Sequence, residues 1–423
     1  MTEQSRTSRM IDASTGSLSW ADKIARRLLL RALESLRVGR LTITDGDQVY
    51  RFGGREAGPH GQIQVLDPGF YSAVLTSGTV GGGESYMQRF WDTPDLVAVV
   101  QVMSANINAT NDLDSGWTNF RSLALKAFHW LRANTVKGSK KNIAAHYDLG
   151  NDFFPLFLDS TMMYSSAVFE REDMSLQEAS EAKLHRICKR LNLSEQDHLL
   201  EIGTGWGGMA IYAARHFGCK VTTTTISKEQ FDYASAWVSR EGLQDKVTLL
   251  LEDYRNLSGQ YDKLVSIEMI EAVGHDYYDE YFATCSRLLK PEGLMLIQAI
   301  TIADQRYDYA RKHVDFIQRY IFPGGALPSV SVVCDCLRRA TDMQLVGLEE
   351  IGQHYARTLA EWRSRFWHAI DKVRACGFDD RFVRMWDYYL AYCEGGFRER
   401  VIGTSQLLMA KPGARALPDP LPL

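Results

Sequence analysis

The sequence predicts an α/β protein: a doubly wound, Rossmann-like sheet with a smaller amino-terminal α+β domain. Two observations predict it. Between residues 198 and 303, five short apolar runs alternate with gaps of helix length, the pattern of a largely parallel sheet covered by helices. Within that stretch Glu201-Ile-Gly-Thr-Gly-Trp-Gly-Gly208 joins a strand end, His198-Leu-Leu, to helical Met209-Ala-Ile-Tyr-Ala-Ala-Arg215. Strand, glycine turn and helix open a nucleotide-binding unit.

In chain order, residues 18 to 37 read as a basic amphipathic helix. Trp20, Ile24, Leu28 and Leu29 are expected on one side, and Arg26, Arg27, Arg31 and Arg37 supply charge. Residues 41 to 77 alternate at period two in Leu41-Thr-Ile-Thr, Val49-Tyr-Arg-Phe, Gln62-Ile-Gln-Val and Ala73-Val-Leu-Thr. They predict a small antiparallel sheet. A helical run follows from Asp95 to Ile107, and the polar stretch 108 to 116 predicts a linker. This places an amino-terminal domain at 1–112 and a second domain at 117–423. A second basic amphipathic segment carries Trp117, Phe120, Leu123, Leu125, Phe128 and Leu131, with Arg121, Lys126, Arg132, Lys137, Lys140 and Lys141 interleaved or following. Such a segment suits an anionic membrane interface, or equally a surface helix with a solvated charged face. The expected strands are then His198–Ile202, Lys220–Ile226, Lys246–Leu251, Lys263–Glu268 and Gly293–Ile300, and residues 412 to 423 read as a Pro-rich loose tail.

Bulk properties exclude some classes. The chain has 423 residues, 45% hydrophobic and 24% charged, with a net charge of −4. Nothing there argues for nucleic-acid binding. No run reaches the ~18 apolar residues of a membrane span. The first residues are polar and lack a secretory apolar core. Seven scattered cysteines predict reduced thiols in a cytoplasmic protein. Cys334-x-Cys336 is too closely spaced for a zinc half-site and reads as two small core residues, so no metal is expected.

The glycine spacing is Gly203-x-Gly205-x-Gly207, which is neither a dinucleotide fingerprint nor a phosphate-binding loop with Lys-Ser/Thr. Glu201, two places before the first glycine, suits the amino and ribose groups of S-adenosylmethionine. The alternative is a glycine turn in some other α/β protein. Strand ends fill out the pocket. Thr225 stands where a ribose-binding acid is common, with Gln230 following, and Asp253 can accept from an adenine amino group or cap a helix.

Several separated motifs carry a resemblance. They are His146-Tyr-Asp-Leu-Gly-Asn-Asp-Phe-Phe154, Met163-Tyr-Ser-Ser-Ala167, the glycine turn, Thr225-Ile-Ser-Lys-Glu-Gln230, Met269-Ile-Glu-Ala-Val-Gly274, Tyr320-Ile-Phe-Pro-Gly-Gly-Ala-Leu-Pro-Ser329, His354-Tyr-Ala-Arg-Thr-Leu359, and Tyr389-Leu-Ala-Tyr-Cys393 through Phe397-Arg. Over residues 140 to 410 the chain resembles the cyclopropane-fatty-acyl-phospholipid synthases, which include the mycolic acid cyclopropane synthases. Gly83-Glu-Ser-Tyr-Met87 and the preceding small sheet resemble the family's lipid-binding amino-terminal domain. The resemblance implies a Rossmann-like methyltransferase sheet, S-adenosylmethionine as cofactor, and an unsaturated acyl chain of a membrane phospholipid as substrate. It implies a cytoplasmic protein, peripheral on the inner face of the membrane, and leaves a homo-oligomer open. It places Tyr164, Ser165 and Tyr254 at the cofactor.

In that chemistry the alkene attacks the sulfonium methyl, and a base takes a proton from the new methyl so that a ring closes. The site must be dry, and aromatic faces stabilise the cation. Tyr164, Tyr320, Phe322, Tyr355 and Trp362 are available for such walls, or for plain core packing. Bicarbonate is the family's base. The resemblance assigns its glutamate to Glu271, its tyrosine to Tyr355, and a nearby cysteine to Cys393. Two positions depart: Ser166 replaces a cysteine and Gln298 replaces a histidine. Two neighbours differ as well, Glu268 for a small residue and Ala272 for a histidine. These departures put bicarbonate in doubt. Glu268 either takes over as proton acceptor or faces solvent or a lysine. The product is expected to be a cyclopropane. A methyl- or methylene-branched chain, a catalytically impaired lipid-binding homologue and a small-molecule methyltransferase are the alternatives.

Overall fold

The structure is a computed structural model that describes residues 20–107, 149–415 and 417–418. The chain forms two compact units, Met1–Thr118 and Asn119–Leu423. The expected linker at 108–116 and the second basic segment at 117–141 lie outside the described residues.

The first unit begins with α1 (Trp20–Leu33). Its inward face is Ala25, Leu29 and Leu33, whereas Ile24 and Leu28 are 39% and 42% exposed. The expected sharing of one side by Ile24, Leu28 and Leu29 is therefore corrected. One residue turns a helix by about 100°, which carries positions 24 and 28 out to the rim with exposed Lys23, Arg27 and Arg31. The Trp20 side chain is outside the described residues.

The small sheet contains β1 (Val38–Asp45), β2 (Gln48–Gly53), β3 (Glu56–Val65) and β4 (Trp91–Asp92), in the order β2-β1-β3-β4. It is mixed rather than antiparallel, because β1 and β3 pair in parallel. Ala73–Thr76 is not a strand; it lies in α2 (Gly69–Met87). The Ser72 and Thr76 hydroxyls donate to Gly69 O and Ser72 O one turn back. Polar positions that look strand-like are thus satisfied within a helix. Gly78, at φ 51° and ψ −129°, kinks it. The expected helix after Asp95 is α3 (Leu96–Ala105), capped by the Asp95 carboxylate on Ala98 N.

The second unit holds seven strands: β5 (His198–Ile202), β6 (Lys220–Thr225), β7 (Val247–Leu251), β8 (Tyr261–Ile267), β9 (Leu289–Ile302), β10 (Gln344–Glu350) and β11 (Ile402–Ala410). Their order is β10-β11-β9-β8-β5-β6-β7. The five strands expected from the sequence are parallel, and β10 and β11 add an antiparallel edge. Side chains alternate across the sheet as a pleat requires. Leu200, Leu264, Met295, Ile297, Leu407 and Met409 build one core, and Leu199, Val265, Leu294, Leu296, Leu408 and Ala410 build the other.

The helices are α4 (Leu176–Arg190), α5 (Gly208–His216), α6 (Lys228–Arg240), α7 (Tyr278–Leu288), α8 (Asp304–Ala310), α9 (Phe316–Tyr320), α10 (Val330–Ala340), α11 (Gly352–His368), α12 (Ile370–Ala375) and α13 (Asp380–Arg398). The start of the supposed loose tail is docked, since Lys411 N and Gly413 N donate to Gly293 O and Pro291 O. All seven cysteines are free thiols; Cys336 is buried but Cys334 is exposed, which corrects its reading as a core residue. Among the described residues no helix is long and apolar enough to cross a membrane.

Candidate active site

The glycine turn stands at the carboxyl end of β5. Gly203, Gly205 and Gly207 have φ of 100°, 52° and 100°, the left-handed region that glycine enters without penalty. Their surroundings differ. A Cβ on Gly203 would meet Met269 at 3.2 Å, and one on Gly207 would meet Ala234 at 3.1 Å. A Cβ on Gly205 would meet nothing within 4 Å. Gly203 and Gly207 are packed from behind, and Gly205 fronts an open cradle that a side chain would fill. The next residue, Gly208, admits no Cβ because Thr161 O lies 2.3 Å away. This is the form a turn takes when a ligand must approach backbone, and it fits the adenosylmethionine expected there.

Glu201 is buried. Its Oε2 accepts from Thr223 Oγ1 at 2.6 Å. Burial pushes its carboxyl up to about 8, against Thr223 and nearby Lys183. At the end of β6, Thr225 Oγ1 donates to Gln230 Oε1 at 2.8 Å. Asp253 caps the 3-10 turn Tyr254–Asn256, and Arg255 holds both its oxygens, at 2.8 and 2.7 Å. The capping alternative is thus what the structure displays for Asp253. The Tyr254 ring packs edge-on against Tyr281, centroids 5.5 Å apart.

The Met163–Ala167 motif forms no helix or strand. It is pinned to α11 and its partners: Ala167 N donates to Thr358 Oγ1 and Phe169 N to His354 Nδ1, while Arg357 donates to Glu172 O and Met174 O. The His354–Leu359 motif is therefore a clamp on this segment. Ser165 Oγ accepts from Lys183 Nζ at 2.8 Å. Lys183, on α4, is fully buried, and burial brings its ammonium down to about 8 against the pull of Glu268, Asp159 and Glu201.

The centre of the site is Glu268. It follows β8 at φ 48°, a conformation that costs a residue with a Cβ on the order of 1–2 kcal/mol. Its Oε1 accepts from Ser166 N at 2.9 Å and Gln298 Nε2 at 2.8 Å, and its Oε2 accepts from the Tyr355 hydroxyl at 2.7 Å. Glu268 is half-buried, and among the described residues no lysine lies at bonding distance of it. Burial raises its carboxyl, while Gln298, Ser166, Tyr355 and the charge of Lys183 hold it down.

Glu271 lies in the following 3-10 turn Ile270–Ala272. Its Oε1 accepts from Ile300 N, and its Oε2 is buried without a partner. Burial, and then the neighbouring Glu268, push it up to about 8. The two carboxylates thus face one another electrostatically, as two groups that resist sharing two charges do. The Tyr320–Ser329 motif fixes this corner, with Ala326 N donating to Glu271 O and Tyr278 OH to Ala326 O.

Ser166 is fully buried, but its hydroxyl donates to Ala167 O at 3.0 Å. What it gives the site is its backbone N–H. Tyr355, expected beside Glu271 or an ion held there, is bonded to Glu268 instead. The Tyr355 ring stacks on Phe397 at 4.6 Å. Of the expected aromatic walls, Tyr164 lies 5.3 Å from Trp362 and 6.4 Å from Phe322, and Tyr355 lies 6.0 Å from Trp362, between ring centroids. Tyr320 instead packs on Phe316. The Tyr164 hydroxyl pairs with that of Tyr389 at 2.8 Å. Cys393, on α13, is partly buried, and burial and Asp315 raise its thiol. The sequence reading missed Lys183, Tyr389 and Gln406, the last donating to Gln298 Oε1. Lys183 alone carried a signal, as a lysine spaced four residues from apolar Ala179 on one side and from apolar Ile187 on the other.

Comparison with known proteins shows the family and the fold. The family model of mycolic acid cyclopropane synthetase matches residues 134–407. Cyclopropane-fatty-acyl-phospholipid synthase of Escherichia coli is 38% identical over 351 residues, 82% of this chain and 87% of that one. Tuberculostearic acid methyltransferase UfaA1 of Mycobacterium tuberculosis is 37% identical over 356 residues, 79% of this chain and 80% of that one. The cyclopropane synthase MmaA2 of Mycobacterium tuberculosis superposes with a TM-score of 0.60 at 32% identity, covering 64% of this chain and 98% of that chain. The solved mycolic acid cyclopropane synthase CmaA1, complexed with SAH and CTAB, gives the same TM-score at 33% identity, with the same coverage. The chain belongs to the mycolic acid cyclopropane synthetase family.

Proposed function

We propose that the protein transfers a methyl(ene) group from S-adenosylmethionine to the cis double bond of unsaturated acyl chains in membrane phospholipids, closing a cyclopropane, with Glu268 as its built-in proton acceptor. The observation that carries this reading is the convergence of Ser166 N, Gln298 Nε2 and Tyr355 OH on one carboxylate. The resemblance gives these three positions to the surroundings of bicarbonate, and here a side chain of the same charge and shape fills the space.

S-adenosylmethionine supplies an electrophilic methyl on a sulfonium. The turn from Gly203 to Gly207, with Thr225, Gln230, Tyr164 and Ser165 around it, would hold it. When the alkene has taken the methyl, the acyl chain is a cation. Tyr164, Phe322, Trp362 and Tyr355 offer aromatic faces to it and keep water away. An ionised carboxylate has about four acceptor positions. Three are filled on Glu268, and the fourth, on Oε2, receives the proton. Glu271 lacks comparable donors and holds its own proton at neutral pH, so the pocket keeps a single negative charge.

Membrane contact belongs to the same reading. Lys23, Arg27 and Arg31 recur at helical spacing on the exposed side of α1, beside exposed Ile24 and Leu28. That face suits an anionic inner leaflet, each basic residue adding about 1 kcal/mol, and supports a lipid-binding first domain in a cytoplasmic, peripheral enzyme. The test is mass spectrometry of lipids from a host expressing the protein. Unsaturated chains should gain one methylene unit and resist hydrogenation of the site as a double bond would not. An exocyclic alkene in the product would redirect the proton loss to a branching reaction. An unchanged lipid profile with purified, adenosylmethionine-binding protein would refute the activity.

A further inference from the structure

A line of hydrogen bonds leaves the carboxylate site through the sheet. Gln298 on β9 stands opposite Gln406 on β11, and both are fully buried. Arg190 NH1, on α4, donates to Gln406 Oε1 at 3.2 Å. Gln406 Nε2 donates to Gln298 Oε1 at 2.9 Å. Gln298 Nε2 donates to Glu268 Oε1 at 2.8 Å and to Ser166 O at 3.3 Å. Arg190 is also held by Glu349 at 2.9 Å, within an ion-pair group with Arg186.

An amide fits its space either way round, so shape alone does not orient two glutamines. The ends of this chain do. A guanidinium donates and never accepts, and an ionised carboxylate accepts and never donates. Gln406 must therefore turn its oxygen to Arg190 and its NH2 to Gln298. Gln298 in turn must present its NH2 to Glu268. Every bond runs from cation to anion, and such a series strengthens cooperatively in a buried setting. Amides oriented in this way do not pass a proton along, so the line orients and does not relay.

We propose that Arg190 is a positioning residue for the reaction: through Gln406 and Gln298 it locks the N–H donor that keeps Glu268 ionised until it takes the substrate's proton. This rests on Glu268 being the proton acceptor. The titratable groups facing that carboxylate are Lys183 from α4, Glu271 from the turn after β8, Tyr355 from α11 and Tyr389 from α13. None of them fixes the two amides.

The test is the pH dependence of turnover on lipid vesicles. Gln406→Glu is nearly isosteric, yet it accepts from Arg190 and has no N–H for Gln298. Gln298 must then turn its oxygen towards Glu268. The acid limb should move up by about one pH unit, a tenfold change in proton affinity, with adenosylmethionine affinity unchanged by calorimetry. Arg190→Met should move the limb in the same direction by a smaller amount. Limbs that coincide with wild type, with rates lowered equally at all pH, would overturn the proposal. Where the variants do not fold, the side-chain NH2 resonances of wild-type Gln298 and Gln406 decide. They should shift together as Glu268 titrates, and a Gln406 signal that stays fixed would overturn it. Glu268→Gln separates the two readings. If it keeps the acid limb and the rate, Glu268 is not the base. If it loses both while Gln406→Glu leaves the limb in place, the base stands and the positioning role falls.

Discussion

The Tyr355 hydroxyl donates to Glu268 Oε2 at 2.7 Å, although the two residues are 87 positions apart. Tyr355 comes from α11 and Glu268 from the end of β8, so the bond ties the helical cover to the strand ends. It also splits the carboxylate pair. Glu268 has donors that favour its anion, and Glu271 has a bare oxygen.

Turnover should therefore fall as pH drops through the raised value of Glu268, giving an acid limb above the ordinary carboxylate range. Glu268→Gln should lower the rate by ~10²–10⁴, the usual cost of losing a positioned base. Glu271→Gln exchanges one neutral group for another at neutral pH and should cost less than about tenfold. Steady-state rates of the two variants on vesicles decide. The reverse order would make Glu271 the base.

Glu271 also has a signature in stability. Burial holds its folded value at about 8, against 4.5 for the free side chain. Between these values the unfolded chain has released a proton that the native protein keeps, so this group lowers stability as pH rises through the window. Glu271→Gln should flatten that decline. Denaturant midpoints measured across the window should diverge from wild type towards higher pH; parallel curves would contradict the shift.

Glu268 occupies a backbone conformation better suited to glycine. Glu268→Gly should relieve about 1–2 kcal/mol of strain while leaving Ser166 N, Gln298 and Tyr355 without their acceptor. Added bicarbonate, binding the native state alone, should then raise the melting temperature and restore part of the turnover. Wild type should respond to bicarbonate in neither measurement. A wild-type enzyme strongly dependent on bicarbonate would make Glu268 a bystander.

Gly205 and Gly208 give a matched pair. Gly205→Val projects a Cβ that meets no protein atom within 4 Å and should abolish adenosylmethionine binding with native circular dichroism, at a strain cost of about 1–2 kcal/mol from its φ of 52°. Gly208→Ala drives a Cβ against Thr161 O and should instead lower stability. Calorimetry and thermal melts read the two effects separately. Unchanged affinity in Gly205→Val would move the cofactor elsewhere.

Charge reversal at Lys23, Arg27 and Arg31 should weaken sedimentation with anionic vesicles. Wild-type binding should fall as salt shortens screening to ~10 Å at 0.1 M. Binding that ignores both changes would place the membrane contact on another surface.

The parallel strands were legible because their apolar runs are long and end in turn residues, as His198–Ile202 does before Gly203. The antiparallel edge was not. β10 alternates exposed and half-buried positions, and β11 carries polar Thr404, Ser405 and Gln406 in its buried middle. Ala73–Thr76 misled because small and hydroxyl residues suit either period until Ser72 and Thr76 find carbonyls within a helix. Glu268 stood out as an unexpected carboxylate, but its surroundings did not. One donor is the backbone of Ser166, which no side-chain reading reveals, and the support behind Gln298 depends on a strand pairing more than a hundred residues away in sequence.

Strand β11 has a consequence for biosynthesis. It is the last described strand along the chain, yet it lies inside the sheet, between β10 and β9. A growing polypeptide can lay down β5 to β9 and its glycine turn long before β11 leaves the ribosome. Until then Gln298 has no Gln406 behind it, and β10 has no neighbour to pair with. Final docking is a long-range, late event of the kind that folds slowly. A prematurely terminated translation product would carry the cofactor turn without the strand that backs Gln298, so under the proposed role of Glu268 alkylation begins only when synthesis has passed the strand that completes the sheet.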